Sequence, residues 1–319
     1  MEMEQASKRI RPSHRFDLDE LLGVKVPAEP AGYAEMWLAW REEALQLSPH
    51  PSIEDAGYDQ GDWQVFNMSY RSTDDVQIGG WLLLPKSGRV KRGLIVGHGY
   101  GGRTEPDFHL PFKDAAILFP CARGIGRSAH PPISDEPRWH VLHDIHKPER
   151  YILRGCVEDL WLAVSALLRL KPELEGHIGY LGSSFGGGVG AMALAWENRV
   201  QIAHFKVPTF GHQMLRLQLK TMGSGASVQA LHKKEPQLVE NTLQWFDAAQ
   251  AAKHIKIPVH VACALADPVV TPPGQFAIYN ALAGPKELFT LSAGHMDYPA
   301  QEEEEQKLLH GLESFFKDL

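Results

Sequence analysis

His177-Ile178-Gly179-Tyr180-Leu181-Gly182-Ser183-Ser184-Phe185-Gly186-Gly187-Gly188 sets a short apolar run against a glycine-rich stretch, and the helix formers Ala191, Met192, Ala193 and Leu194 follow. The spacing Gly182-x-Ser184-x-Gly186 between strand-like and helix-like sequence predicts a nucleophile elbow. A serine at the apex of such a turn needs a strained backbone, and flanking glycines let strand and helix approach without Cβ clashes. The turn lifts Oγ clear of the sheet and sets the Phe185 N–H at a helix N-terminus, where partial positive charge favours an oxyanion. Ser183 fits the turn poorly because no glycine stands two residues before it. The motif arises by chance in a chain with 29 glycines, so its meaning depends on its surroundings.

Outward from this stretch the sequence alternates. Leu160, Trp161, Val164, Leu167 and Leu168 form a helical stripe before it, and Val259 to Cys263 and Leu288 to Leu291 read as strands after it. Upstream, Leu94 to Val96 and Ala115 to Phe119 read as short buried strands. Trp63 to Tyr70 and Val76 to Leu84, around a turn-rich segment, suggest an antiparallel start to the sheet. Tyr33, Met36, Trp37, Trp40, Ala44 and Leu45 mark an amphipathic helix after Pro27 and Pro30, and Leu308, Leu309, Leu312, Phe315 and Phe316 a closing one. Glu302 to Glu305 suits the solvated first turn of that last helix. The expectation is an α/β-hydrolase fold, a mostly parallel sheet covered on both faces. One domain spans 1–319, with an N-terminal helical extension over about 1–50 and a small cap over about 212–238, where periodicity fails around Gly223-Ser224-Gly225.

Composition narrows the function. A chain of 319 residues, 44% hydrophobic and 22% charged, is ordinary for a globular enzyme, and no stretch reaches the roughly 18 apolar residues of a membrane span. Its net charge of −7 disfavours nucleic acid and anionic membranes as partners. Cys121, Cys156 and Cys263 are odd in number and embedded in apolar sequence, so reduced core thiols are expected rather than disulfides. Met1 to Arg11 lacks the apolar stretch of a secretory signal, which gives a cytoplasmic expectation.

In an α/β-hydrolase the triad runs Ser, then Asp or Glu, then His, the last two on loops after late strands. Asp267 follows the Val259 to Cys263 strand and His295 follows Leu288 to Leu291. Asp297, two residues beyond His295, fits that order badly. His295 is the expected base and Asp267 the group that fixes its tautomer. The loop Gly97-His98-Gly99-Tyr100-Gly101-Gly102-Arg103 is placed to supply a second oxyanion donor, the Tyr100 N–H; it lacks the ending of a phosphate-binding P-loop and a dinucleotide fingerprint. His140, His143 and His146 run in three-residue steps up to Pro148 with no second ligand group, so they read as structural or surface residues, and no metal or other cofactor is expected.

These residues resemble the acetyl xylan esterases and cephalosporin C deacetylases of carbohydrate esterase family seven, from about Tyr33 to the C-terminus. The similarity lies in His98-Gly99-Tyr100, Arg123-Gly124-Ile125-Gly126, Tyr151 to Asp159, the elbow through Gly187, Leu243 to Ala248, and Asp267 through Asn280. The resemblance implies serine-dependent removal of small acyl groups, chiefly acetyl, from sugar or related alcohol esters. It implies Ser184, Asp267 and His295 as the triad, the Tyr100 and Phe185 amides as the oxyanion hole, and Arg123 as a supporting residue. The chain departs from the family at Ile125 and Phe185, where Gln is usual, and at Met296, where Glu is usual. An aromatic side chain beside the nucleophile bears on the pocket and hence on substrate preference. The segment from Arg127 through Ile145 is shorter than the loop with which family members build hexamers, so the hexamer is not carried over and a dimer or monomer fits at least as well. A broader carboxylesterase or a peptidase is the alternative on the same fold, and a catalytically silent binding protein the reading from another class.

Overall fold

Nine strands form one sheet in a computed structural model that describes residues 11–319. The first ten residues of the expected N-terminal extension lie outside the described residues. Helices α1 (Leu18–Leu22) and α2 (Tyr33–Leu45) precede strands β1 (Ser52–Gln60), β2 (Trp63–Arg71) and β3 (Gln77–Pro85), which form an antiparallel meander. β4 (Arg92–Gly97) and β5 (Ala115–Pro120) follow, then α3 (Pro137–His140), α4 (Ile152–Leu170), β6 (Ile178–Ser183), α5 (Phe185–Leu194) and β7 (Ile202–Lys206). Between β7 and the next strand lie four short helices: α6 (Gln213–Gln218), α7 (Ser224–His232), α8 (Pro236–Leu243) and α9 (Ala248–Ala252). The chain closes with β8 (Val259–Ala264), α10 (Pro272–Ala281), β9 (Lys286–Leu291) and α11 (Gln301–Phe315).

The sheet order is β1-β2-β3-β5-β4-β6-β7-β8-β9, with every pair from β5 to β9 parallel. β5 and β8 are buried along their whole lengths, as strands covered by helices on both faces must be, and their continuous apolar sequence follows from that. All parallel strands end on one side, and the loops after β4, β5, β6, β8 and β9 bring His98 to Tyr100, Arg123, Ser184, Asp267 and His295 together there.

α4 and α5 pack on one face of the sheet, joined by the Trp161 indole N–H, which donates to the Ala193 carbonyl at 2.9 Å. α2 docks outside α4: Trp37 is fully buried, meets Trp161 and Phe246 edge to face, and donates to the Trp245 carbonyl at 3.1 Å. On the opposite face α11 covers the sheet through Leu308, Leu312 and Phe316. Its acidic first turn does more than face solvent. Glu304 accepts from the Ser292 N–H at 2.9 Å and Glu305 pairs with Lys206, fastening the helix to the ends of β9 and β7.

All three cysteines are buried free thiols. Among the described residues no helix is long and apolar enough to cross a membrane.

Candidate active site

Ser184 stands between β6 and α5 at φ 52° and ψ −108°, a conformation that L-residues rarely adopt. The surrounding backbone holds it there. Its N–H donates to the Lys206 carbonyl at 2.8 Å, and its carbonyl accepts from Gly188 at 3.0 Å and Thr209 at 3.1 Å. The two motif glycines are required by contact. A Cβ on Gly182 would lie 2.5 Å from the Gly186 carbonyl oxygen, and one on Gly186 would lie 2.7 Å from the Gly97 carbonyl carbon. The Tyr180 hydroxyl donates to the same Gly186 carbonyl at 2.6 Å and ties the helix start to its own strand.

His295 Nε2 lies 2.9 Å from Ser184 Oγ, and its Nδ1 lies 2.7 Å from Asp267 Oδ2. The carboxylate only accepts, so Nδ1 carries the proton and Nε2 is left to accept from the serine hydroxyl. Asp267 is completely buried and fully satisfied: Oδ1 accepts from the Val269 and Val270 amides at 2.8 and 2.9 Å, and Oδ2 also accepts from Gln275 Nε2 at 3.1 Å. Gln275 is fixed in turn by the Val270 carbonyl and the Ala264 N–H. The N–H of Asp267 donates to the Pro12 carbonyl at 2.8 Å, which binds the acid loop to the N-terminal arm. Asp297 is exposed on the surface beyond His295.

The Tyr100 and Phe185 amides have no acceptor among the described residues. The loop that holds Tyr100 is locked by His98. The Ala122 N–H donates to its Nε2 at 2.9 Å, so Nδ1 is the protonated nitrogen and donates to the Gly99 carbonyl at 2.6 Å. The His98 carbonyl accepts from Gly186, stitching this loop to the elbow. Burial drives the His98 pKa down to about 4, against the pull of the Gly99 carbonyl.

A second buried histidine supports Tyr100 from its other end. His140 Nε2 donates to the Arg123 carbonyl at 2.9 Å, so its Nδ1 accepts from the Tyr100 hydroxyl at 2.9 Å. Burial, opposed by that carbonyl, lowers its pKa to about 4. His140 thus serves the loops around Ser184, and among the described residues no group of three or more His, Cys, Asp or Glu is placed to hold a metal ion.

Arg123 lies behind this layer, with its side chain 4% exposed. Its Nε and Nη2 bond the two Asp159 oxygens at 3.0 and 2.8 Å, and Nη2 also donates to Thr73 Oγ1 at 2.8 Å. Burial works against its charge, but Asp159 outweighs burial and raises its pKa. A cleft of about 780 Å³ opens here, lined by Arg123, Asp74, Tyr151 and Glu158 rather than by Ser184.

Phe185, where Gln is usual in the family that the sequence resembles, turns its ring inward. It is 2% exposed and packs against Tyr100 with centroids 4.2 Å apart and edge to face on Phe210 at 6.0 Å. The ring therefore builds the wall behind the site, while Met296, 42% exposed beside His295, opens its rim. The supporting roles of His98, His140, Gln275 and Tyr180 are not legible in the sequence. The side-chain pairing of a Gln on a helix one turn from the acid loop has no sequence period of its own. The signal for His98 was its position between two glycines directly after an apolar strand.

The fold is shared with solved structures. An acetyl xylan esterase from Paenibacillus sp. R4 superposes with a TM-score of 0.79 at 21% identity, covering 93% of this chain and 99% of that one. Acetyl xylan esterase 1 from Thermoanaerobacterium sp. JW/SL YS485 gives 0.78 at 19% identity with the same coverage. An alpha/beta hydrolase from Penicillium sp. sh18 gives 0.56 at 19% identity, covering 80% of this chain and 98% of that one. The sequence profile of the acetyl xylan esterase (AXE1) family matches residues 15–311, a span that includes Ser184, Asp267 and His295, and this chain belongs to that family.

Proposed function

We propose that this protein is a serine esterase that removes acetyl groups from sugar or related alcohol esters, with Ser184 as nucleophile, His295 as base and Asp267 as its orienting acid. The observation that supports this most is the unbroken hydrogen-bond chain from Ser184 Oγ through His295 to Asp267, at 2.9 and 2.7 Å. Ser184 Oγ attacks the ester carbonyl carbon as its proton passes to His295 Nε2. The oxyanion is received by the Tyr100 and Phe185 amides, the second at the N-terminus of α5. The tetrahedral adduct collapses, the alcohol leaves with the proton from His295, and Ser184 is left acetylated. Water, deprotonated by the same histidine, then releases acetate and restores the serine. Asp267 keeps the proton on Nδ1 and stabilises the imidazolium.

Arg123 acts at a distance. It fixes the segment whose carbonyl orients His140, and through it Tyr100, and touches no substrate. The helices α6 to α8, over the expected cap and a few residues beyond it, are proposed as the cap of a single domain. The three free buried thiols support residence in a reducing compartment such as the cytoplasm.

Hydrolysis of 4-nitrophenyl acetate, butyrate and octanoate by the wild type and Ser184→Ala tests the reading. The expected result is a preference for acetate and a loss of about 10³-fold or more in kcat for the variant. Hydrolysis unaffected by the substitution would remove Ser184 from the mechanism.

A further inference from the structure

The two oxygens of Asp267 are held in different ways. Oδ1 accepts from the Val269 and Val270 amides, donors that belong to the acid loop itself. Oδ2, the oxygen that faces the imidazole, has two partners among the described residues, His295 Nδ1 at 2.7 Å and Gln275 Nε2 at 3.1 Å. Donors on Oδ1 alone leave the carboxylate free to swing Oδ2 about that end. His295 gains and loses a charge in every cycle of the proposed reaction. Gln275 is then the partner of Oδ2 whose charge stays constant throughout.

Gln275 lies in the first turn of α10 and is completely buried. Its Oε1 accepts from the Ala264 N–H at 2.8 Å, and its Nε2 donates to the Val270 carbonyl at 2.7 Å as well as to Asp267. An acceptor faces an N–H and the donors face a carbonyl and a carboxylate, so the partners fix which way the amide points. Ala264 is the last residue of β8 and is paired in register with Leu291, the last of β9. The acid loop leaves the sheet after the first and the histidine loop after the second. Gln275 thus ties Oδ2 to the place where both loops begin, and not to the acid loop alone. The space around it is closed from two sides. A Cβ on Gly274 would lie 2.7 Å from the Gly211 carbonyl oxygen, which seats α10 against the start of the cap, and one on Gly294 would lie 2.5 Å from Oδ2 itself.

We propose that Gln275 is a positioning residue of the triad, holding Asp267 Oδ2 in line with the His295 Nδ1–H through both charge states of the imidazole. It touches no reacting atom and acts through Asp267. Its effect on turnover rests on the serine-esterase reading, whereas its hold on the imidazole proton is a property of the resting protein.

The test is a double-mutant cycle. Gln275→Met keeps the length of the side chain and removes its polar contacts. The expected result is a fall in kcat for 4-nitrophenyl acetate of about tenfold to a hundredfold, with KM changed little. Made in Asp267→Ala, the same substitution should cost less than about twofold more, because no carboxylate is left to position. Losses that multiply in the double variant, or an unchanged kcat in the single one, overturn the role. Gln275→Met also strips partners from the buried Ala264 N–H and Val270 carbonyl, so thermal unfolding is read first. If that variant does not fold, Gln275→Glu, which keeps an acceptor for Ala264 and sets a carboxyl group beside Oδ2, enters the same cycle under the same criteria.

A second measurement is independent of turnover: proton NMR of the His295 Nδ1–H, assigned by its loss in His295→Gln. A proton shared with a buried carboxylate resonates far downfield and exchanges slowly, and the variant at Gln275 should shift or broaden it. A resonance unmoved in that variant overturns the role whatever the assays give. A displaced resonance in a protein that cleaves no ester supports the hold on Oδ2 and strikes the catalytic reading alone.

Discussion

The hydroxyl of Ser184 faces His295 because its backbone is held in a strained turn, so substitutions that release the turn act on both stability and chemistry. Gly182→Ala and Gly186→Ala force a Cβ into backbone atoms at 2.5 and 2.7 Å, with no flexible side chain to give way. Each is expected to cost about 2 kcal/mol or more, read as a drop in the denaturation midpoint. Asp267→Asn changes little in volume but turns one oxygen into a donor, which cannot accept from both His295 and Gln275. A fall in kcat of about 10³ to 10⁴ with a folded protein is the expected result, and an unchanged kcat would deny Asp267 its orienting role. That Ser184, Asp267 and His295 would meet was legible in the sequence, because chain order and the strand before each loop are local signals. The place of Gln275 was not: a glutamine in the first turn of a helix resembles a solvated residue, and only the seating of α10 against Gly211 and the acid loop buries it.

Elements with an apolar period were found from sequence, and those created by their neighbours were not. β5, α2, α4, β8 and the closing helix carry their own signal. β1 is exposed along nearly its whole length and holds Glu54, Asp55, Gly57 and Asp59, so nothing in its composition asks for a strand. It exists because β2 offers a partner edge. β7 is short and carries His204 and Lys206; its place between β6 and β8 makes it a strand. The same dependence on neighbours governs the join between α4 and the β2–β3 turn. There Asp159 holds Arg123 and accepts from Ser72 Oγ at 2.5 Å. Arg123→Met leaves Asp159 buried beside an apolar side chain, and a loss of about 3 to 5 kcal/mol in urea unfolding is the expected outcome. A loss below 1 kcal/mol would mean that water replaces the guanidinium.

Across the whole molecule, buried neutral histidines set the acid limit. His98, His140 and His260 are pushed down to about 4 by burial, and His204, whose Nδ1 lies 3.0 Å from that of His260, is also well below its ordinary value. In the unfolded chain each takes up a proton near pH 6.5. Below that pH the unfolded state binds protons that the native state refuses, so stability present above pH 6.5 is lost progressively as pH falls toward 4. Thermal unfolding followed from pH 7.5 to 4.5 should show a falling Tm, and a flat profile would mean that these rings accept protons where they stand.

The bond from the Asp267 N–H to the Pro12 carbonyl makes the front of the chain a stay for the acid loop. A protease that nicks the arm before Phe16 would leave every group of the reaction in place and still slacken the loop that aims the imidazole. Proteolytic cleavage between Pro12 and Phe16 should therefore register as fading turnover before any loss of secondary structure, so that this arm serves as a fuse for the site.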